Sequence, residues 1–134
     1  MSEQKPPSQR RYFRVPYPDN EQPPFHAHSG QRYSVIDVSE KGLKIAAVNE
    51  PDLAISTRLS GVIIFHDGKT LEAEGVAIRQ DSDGLAIALD KSLDVGQLFR
   101  EQTYIRKHYP VFMLQKVSKQ HQVPRAETPD DKDA

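Results

Sequence analysis

Three arginines fall within five residues, at Arg10, Arg11 and Arg14 of the segment RRYFR, and residues 1–14 carry four basic side chains against one acidic. A guanidinium is a planar fork of donors that can pair with phosphate or with the O6/N7 edge of guanine, and its flat face stacks on a base. The segment offers a place for an anion; the alternative is a solvated basic arm, or arginines stacked on Tyr12 and Phe13. A second group is Asp37-Val38-Ser39-Glu40-Lys41-Gly42. In extended geometry Asp37 and Ser39, two apart, share a face. Gly42 relieves the backbone as the chain turns into the next strand. Asp, Ser and Gly are also ordinary turn residues. His26 and His28 share one strand face, as a metal-binding pair would. With no third ligand to place beside them, no metal is expected. Nor is catalysis expected, since the chain has neither a nucleophile-elbow pattern nor paired carboxylates at a recognisable spacing.

The elements that must position these groups read as mainly β. Turn signals stand at Ser29-Gly30, Asp67-Gly68 and Asp83-Gly84, between runs of period two. Strands are predicted at 25–28, 32–38, 42–48, 58–66, 70–80 and 85–89. Leu43, Ile45 and Ala47 face opposite to Lys44, and Leu71 and Ala73 opposite to Glu72 and Glu74. Six short antiparallel strands favour a closed or nearly closed barrel, because closure removes exposed edges, with a sandwich as the competitor. Residues 95–109 read as a helix that packs on the barrel, with Leu98, Ile105 and Tyr109 on one stripe. Pro110 interrupts it, and 111–114 can form a further turn.

The flanks differ from this core. Six of the ten prolines lie in the first 24 residues, which predicts a flexible arm over 1–24, ahead of a domain over 25–117. From Ser118 the chain is polar and proline-punctuated, which predicts a disordered tail over 118–134. Formal charge is -1, so the chain as a whole lacks the field that drives sequence-independent nucleic-acid binding, and any anion site is local. There is no cysteine, which fits a reducing cytoplasm. Apolar runs reach only four or five residues, and no membrane association is expected.

Taken together, the two motifs resemble the PilZ family of bacterial cyclic di-GMP receptors, whose signature is RxxxR followed by [DN]-x-S-x-x-G on a six-stranded barrel. Arg10 to Arg14 supply the first motif and Asp37 to Gly42 the second. Gly75 to Arg79 and Gly84 to Leu89 are similar to the family's late strand pair, so the resemblance covers about residues 9–110. It implies a stand-alone, non-catalytic, cytoplasmic receptor with a PilZ-type barrel, a C-terminal α-helix and flexible termini, whose arm orders around the ligand. Arg10 and Arg14 are then expected on phosphate and guanine, Arg11 as an additional contact, Asp37 on a guanine N–H edge, Ser39 in a supporting hydrogen bond, and Gly42 where the backbone approaches closely. Arg79 is expected either on the ligand or as a surface strand arginine. A receptor without an output domain reports through an effector protein, which the sequence does not identify. The alternatives are an adaptor of similar fold that acts by protein contact without nucleotide, and a small-barrel binder of single-stranded nucleic acid. The barrel strands lack the basic, aromatic faces that the last requires, so neither DNA nor RNA is expected as a partner.

Overall fold

The computed structural model describes residues 14–48 and 50–122, with side chains as far as residue 116. Arg10, Arg11 and most of the predicted tail lie outside the described residues. The chain divides into two units, residues 1–101 and 102–134.

The first unit is built on seven strands: β1 (Arg14–Pro16), β2 (Pro24–Ala27), β3 (Arg32–Ser39), β4 (Gly42–Ile45), β5 (Arg58–Ile64), β6 (Thr70–Gln80) and β7 (Leu85–Leu89). Six of them close a barrel in the order β3-β2-β5-β6-β7-β4, with β4 returning to pair with β3, and every pairing is antiparallel. The expected barrel is therefore the fold, not the sandwich. Gly30 (φ +103°) and Gly68 (φ +85°) take left-handed conformations in the turns that the Ser-Gly and Asp-Gly pairs predicted. Inside the barrel Val35, Val38, Ile45, Ile63 and Leu85 have no exposed surface. Each such side chain contributes about 1.5–3 kcal/mol by leaving water.

The seventh strand lies in what the prolines predicted as a free arm. β1 pairs with the second half of β3, Arg14 opposite Ser39, Val15 opposite Val38 and Pro16 opposite Asp37. β2 takes the first half, through Arg32, Tyr33 and Ser34. The two strands share one edge of β3 in succession, joined through a single 3-10 turn at Asp19–Glu21. Prolines are tolerated because β1 pairs on one side only. Val15 and Tyr17 are buried, which offsets the entropy of holding this segment, and residues 14–24 are not free chain.

Two irregularities change which way side chains point. In β3, Val35 pairs with Ile45 but Asp37 pairs with Lys44, so Ile36 is an extra residue. In β6, Ala77 pairs with Ile87 but Arg79 pairs with Ala86, so Ile78 is extra. Val35 and Ala77 point inward and are buried. By strict alternation Asp37 and Arg79, two residues further on, would point inward as well. Each bulge adds one residue and turns the charged side chain to the outer face.

Helix α1 (Val95–His108) opens on a cap, with the Gln97 amide donating to Asp94 Oδ2 at 2.9 Å. Leu98 and Glu101 on its first two turns are wholly buried. A buried carboxylate needs partners, and Glu101 has three among the described residues: the Tyr17 hydroxyl donates to Oε1 at 2.8 Å, His66 Nδ1 bonds Oε2, and Gln97 Nε2 donates to Oε2 at 3.4 Å. Burial, then the neighbouring Glu101 charge, holds the Tyr17 phenol far above its ordinary range. The same three-part contact joins the chain just after β1, the β5–β6 turn and α1.

In the second unit, Pro110 starts helix α2 (Pro110–Gln122), a position where its missing N–H costs nothing. This helix runs five residues into the segment 118–134 predicted as tail, so its described part is longer than the single turn expected. Tyr104 and His108 set their rings 4.3 Å apart, and Lys116 lies 5.5 Å over Phe112.

Tyr17→Phe should therefore leave one Glu101 oxygen buried without its donor and lower the unfolding free energy by about 1–3 kcal/mol. Urea unfolding measures this, and an unchanged midpoint would show that the bond contributes nothing.

Candidate functional site

Register places the predicted site residues in two neighbouring rows across the outside of the barrel. The first runs over four strands: Asp37 on β3 opposite Lys44 on β4, Lys44 opposite Ala86 on β7, and Ala86 opposite Arg79 on β6. With strands about 4.8 Å apart, that row spans about 14 Å. In the second, Arg14 on β1 lies opposite Ser39, and Gly42 opposite Ala88. Together they form an open cleft of about 340 Å³. Its floor is low because Gly42, Ala86 and Ala88 project almost nothing, while Arg14, Lys41, Lys44 and Arg79 bring positive charge around it. A flat anionic ligand with a polar edge suits that combination. The bulge also brings Ile78 out beside Arg79, 51% exposed, as an apolar surface at the cleft. Among the described residues, no aromatic side chain lines it.

Arg14 and Asp37 are 23 positions apart in sequence, and the Arg14 Nη1 donates to Asp37 Oδ1 at 2.9 Å. Arg14 is half exposed, whereas Asp37 retains 20% of its side-chain surface. That partial burial pushes the Asp37 carboxyl above the usual range, outweighing the pull of Arg14 and Lys44 in the opposite direction. Asp81 behaves in the opposite way. Hydrogen bonds from Arg79 and then Lys44 hold its carboxyl down at about 2. Burial alone would lower the Lys44 ammonium, but hydrogen bonds to Asp83 and Asp81 hold it above its ordinary value.

Of the residues singled out from sequence, Arg14, Asp37, Gly42 and Arg79 line the cleft, and Ser39 lies buried at its rim. Arg10 and Arg11 fall outside the described residues. Gly42 does not relieve the backbone at the turn, as its sequence position suggested. It has no left-handed backbone angle, the positive-φ glycines among the described residues being Gly30 and Gly68. What constrains it is space, since a Cβ at Gly42 would lie 3.2 Å from Ser39 Oγ. Lys41, Lys44 and Asp81 were missed. The signal for Lys44 was its outward place in β4, which reads as an ordinary solvated lysine until register sets it beside Asp37. His28 Nδ1 meets Ser60 Oγ at 3.2 Å, away from this cleft.

A family model for the PilZ domain matches residues 8–107, from just before RxxxR almost to the end of α1. The chain belongs to the PilZ domain family. PilZ domains have a cyclic di-GMP-binding role as a family, and the match includes both motifs and every strand of the barrel. No curated protein and no solved structure matches the chain. None of the described helices is long and apolar enough to cross a membrane.

Asp37 in this PilZ cleft and Asp81, which holds the cleft's Lys44 and Arg79, should titrate apart. Carboxyl-carbon NMR is expected to show Asp37 above the ordinary value of about 3.9 and Asp81 at about 2. Asp81, depressed in the fold, stabilises it above its unfolded pKa, and that contribution is lost as pH falls through about 2. Asp37, raised in the fold, takes up its proton first on acidification. Coincident titrations would contradict this electrostatic account.

Proposed function

We propose that the chain is a cyclic di-GMP receptor that binds its ligand in the cleft over β3, β4, β7 and β6 without catalysing a reaction, and signals through a protein partner. The observation that carries this reading is the meeting of Arg14 with Asp37, which puts one member of each motif at one surface. Cyclic di-GMP presents two phosphodiesters and two guanines. Arg14 supplies a fork for phosphate or the guanine O6/N7 edge, and Asp37 an acceptor for guanine N1–H and N2–H. Ser39 supports that edge, and Gly42 lets the ligand approach the backbone. Arg79 and Ile78 provide a cationic face and an aliphatic surface for the second base or phosphate. Arg10 lies four residues before Arg14, so their Cα atoms are at most about 14 Å apart, within reach of the same ligand. Arg11 adds a further cation on that segment. Among the described residues the cleft has no aromatic platform, which favours this reading over a single-stranded nucleic-acid binder.

Calorimetric titration with cyclic di-GMP tests the proposal. Arg10→Ala and Arg14→Ala should each weaken binding by about 1.5–3 kcal/mol, the worth of one hydrogen bond to a charged group. Wild-type affinity in the double variant would overturn the assignment.

Base reading is expected to lie with Asp37. Cyclic di-AMP should bind far more weakly, and Asp37→Ala should lose more affinity for the guanine ligand than for the adenine one. Because the acceptor must be ionised, acidification through the raised Asp37 pKa should weaken cyclic di-GMP binding. Equal affinity for both dinucleotides would mean that the carboxylate does not read the base.

A further inference from the structure

Besides Arg14, which holds Asp37, two more of the cleft's cations are occupied by the protein's own carboxylates. Lys44 Nζ lies 3.1 Å from Asp81 Oδ2 and 2.6 Å from Asp83 Oδ1. Arg79 holds the same Asp81 with both arms of its fork, Nε donating to Oδ1 at 2.8 Å and Nη2 to Oδ2 at 3.1 Å. That two-oxygen geometry is the one a phosphate presents to an arginine. Both cations flank Ala86, from β4 on one side and β6 on the other, so one anion centred above Ala86 could meet both.

The carboxylates are delivered by a turn that is itself fixed. The Asp81 amide donates to the Gly84 carbonyl at 2.8 Å, and Gln80 Nε2 donates to the carbonyls of Ala47, Asp81 and Gly84. The backbone thus holds Asp81 and Asp83 next to the cleft. Their side chains are short and partly exposed, 27% for Asp81 and 59% for Asp83, and can rotate away without disturbing the sheet.

We propose that Asp81 and Asp83 are resident anions that occupy Lys44 and Arg79 until a ligand phosphate displaces them, and that they thereby set the affinity of the cleft. Lys44 is then a ligand-binding residue whose contribution is masked in the free protein. This inference rests on the cyclic di-GMP reading and deepens it. A pocket with four cations and no internal counter-ions would attract any polyanion. With the carboxylates in place, a ligand must also make the contacts at Arg14 and Asp37 to compete, which favours the dinucleotide over simple phosphates.

The test is a titration of cyclic di-GMP into the full chain as wild type, Asp83→Asn, Asp81→Asn/Asp83→Asn, and Lys44→Gln in both backgrounds. Glu72→Gln/Glu74→Gln, on β6 outside this cleft, controls for the same change in net charge, and circular dichroism checks that each variant is folded. The double Asn variant is expected to bind about tenfold more tightly, with Asp83→Asn intermediate and the control within about twofold of wild type. Lys44→Gln should lower affinity several-fold more in the Asn background, where no carboxylate competes for the ammonium, than in the wild type. A gain in the Asn variant with a silent wild type also supports the proposal. Wild-type binding with no gain in Asp83→Asn or the double variant overturns it while leaving the cyclic di-GMP reading intact. Folded proteins that bind no ligand in any form overturn both.

Discussion

A closed barrel allows charge on one parity of each strand only, and the candidate site depends on breaking that parity twice. Val35 and Ala77 point into the core, so Asp37 and Arg79 would follow them there if β3 and β6 were regular. An unpaired carboxylate or guanidinium among Val38, Ile45 and Leu85 would cost several kcal/mol. One inserted residue in each strand, Ile36 and Ile78, resolves the conflict and sends both groups outward. The two bulged strands flank the β4–β7 pair, so the released charges converge over its small side chains. The Ile78 bulge has a second effect, since it exposes an apolar surface beside the arginine that it turns out.

The rest of the unit serves to hold the ends of these strands. β1 extends the edge that β2 leaves open on β3, and so carries Arg14 to Ser39 and Asp37. Tyr17, just after β1, is held to the buried Glu101 of α1, which His66 of the β5–β6 turn also engages. The position of Arg14 at the cleft is thus tied through a short chain of contacts to the helix that follows the barrel. A chain of formal charge -1 still offers a local anion site, because the carboxylates that balance its lysines and arginines stand beside them.

Much of this was legible in the sequence. β6 and β7 have the predicted bounds, since the Asp-Gly turns at 67–68 and 83–84 mark where each begins. The two motifs identified Arg14, Asp37 and Gly42, and the helix from Val95 was read from its apolar stripe. What escaped has physical causes. β4 stops at Ile45, short of the predicted Val48, because the chain there leaves the sheet for the connection to β5. β1 is three residues ending in proline, too short to show a period. The bulges cannot be read from one strand, since an extra residue exists only relative to a partner. For the same reason the pairing of Lys44 with Asp81 and Asp83, 37 and 39 positions away, is a product of register that no local pattern announces.

The central claim is that ligand sits on the outer face above Ala86 and Ala88. Two-dimensional amide NMR of the full chain during a titration with cyclic di-GMP tests it most directly. The account predicts that the largest shifts fall at Arg14, across 37–44, at 78–83 and at 86–88, with the interior positions Ile63 and Phe25 little changed. Shifts concentrated instead around Tyr33, Asp52 and Leu59, where a different cleft opens, would contradict it.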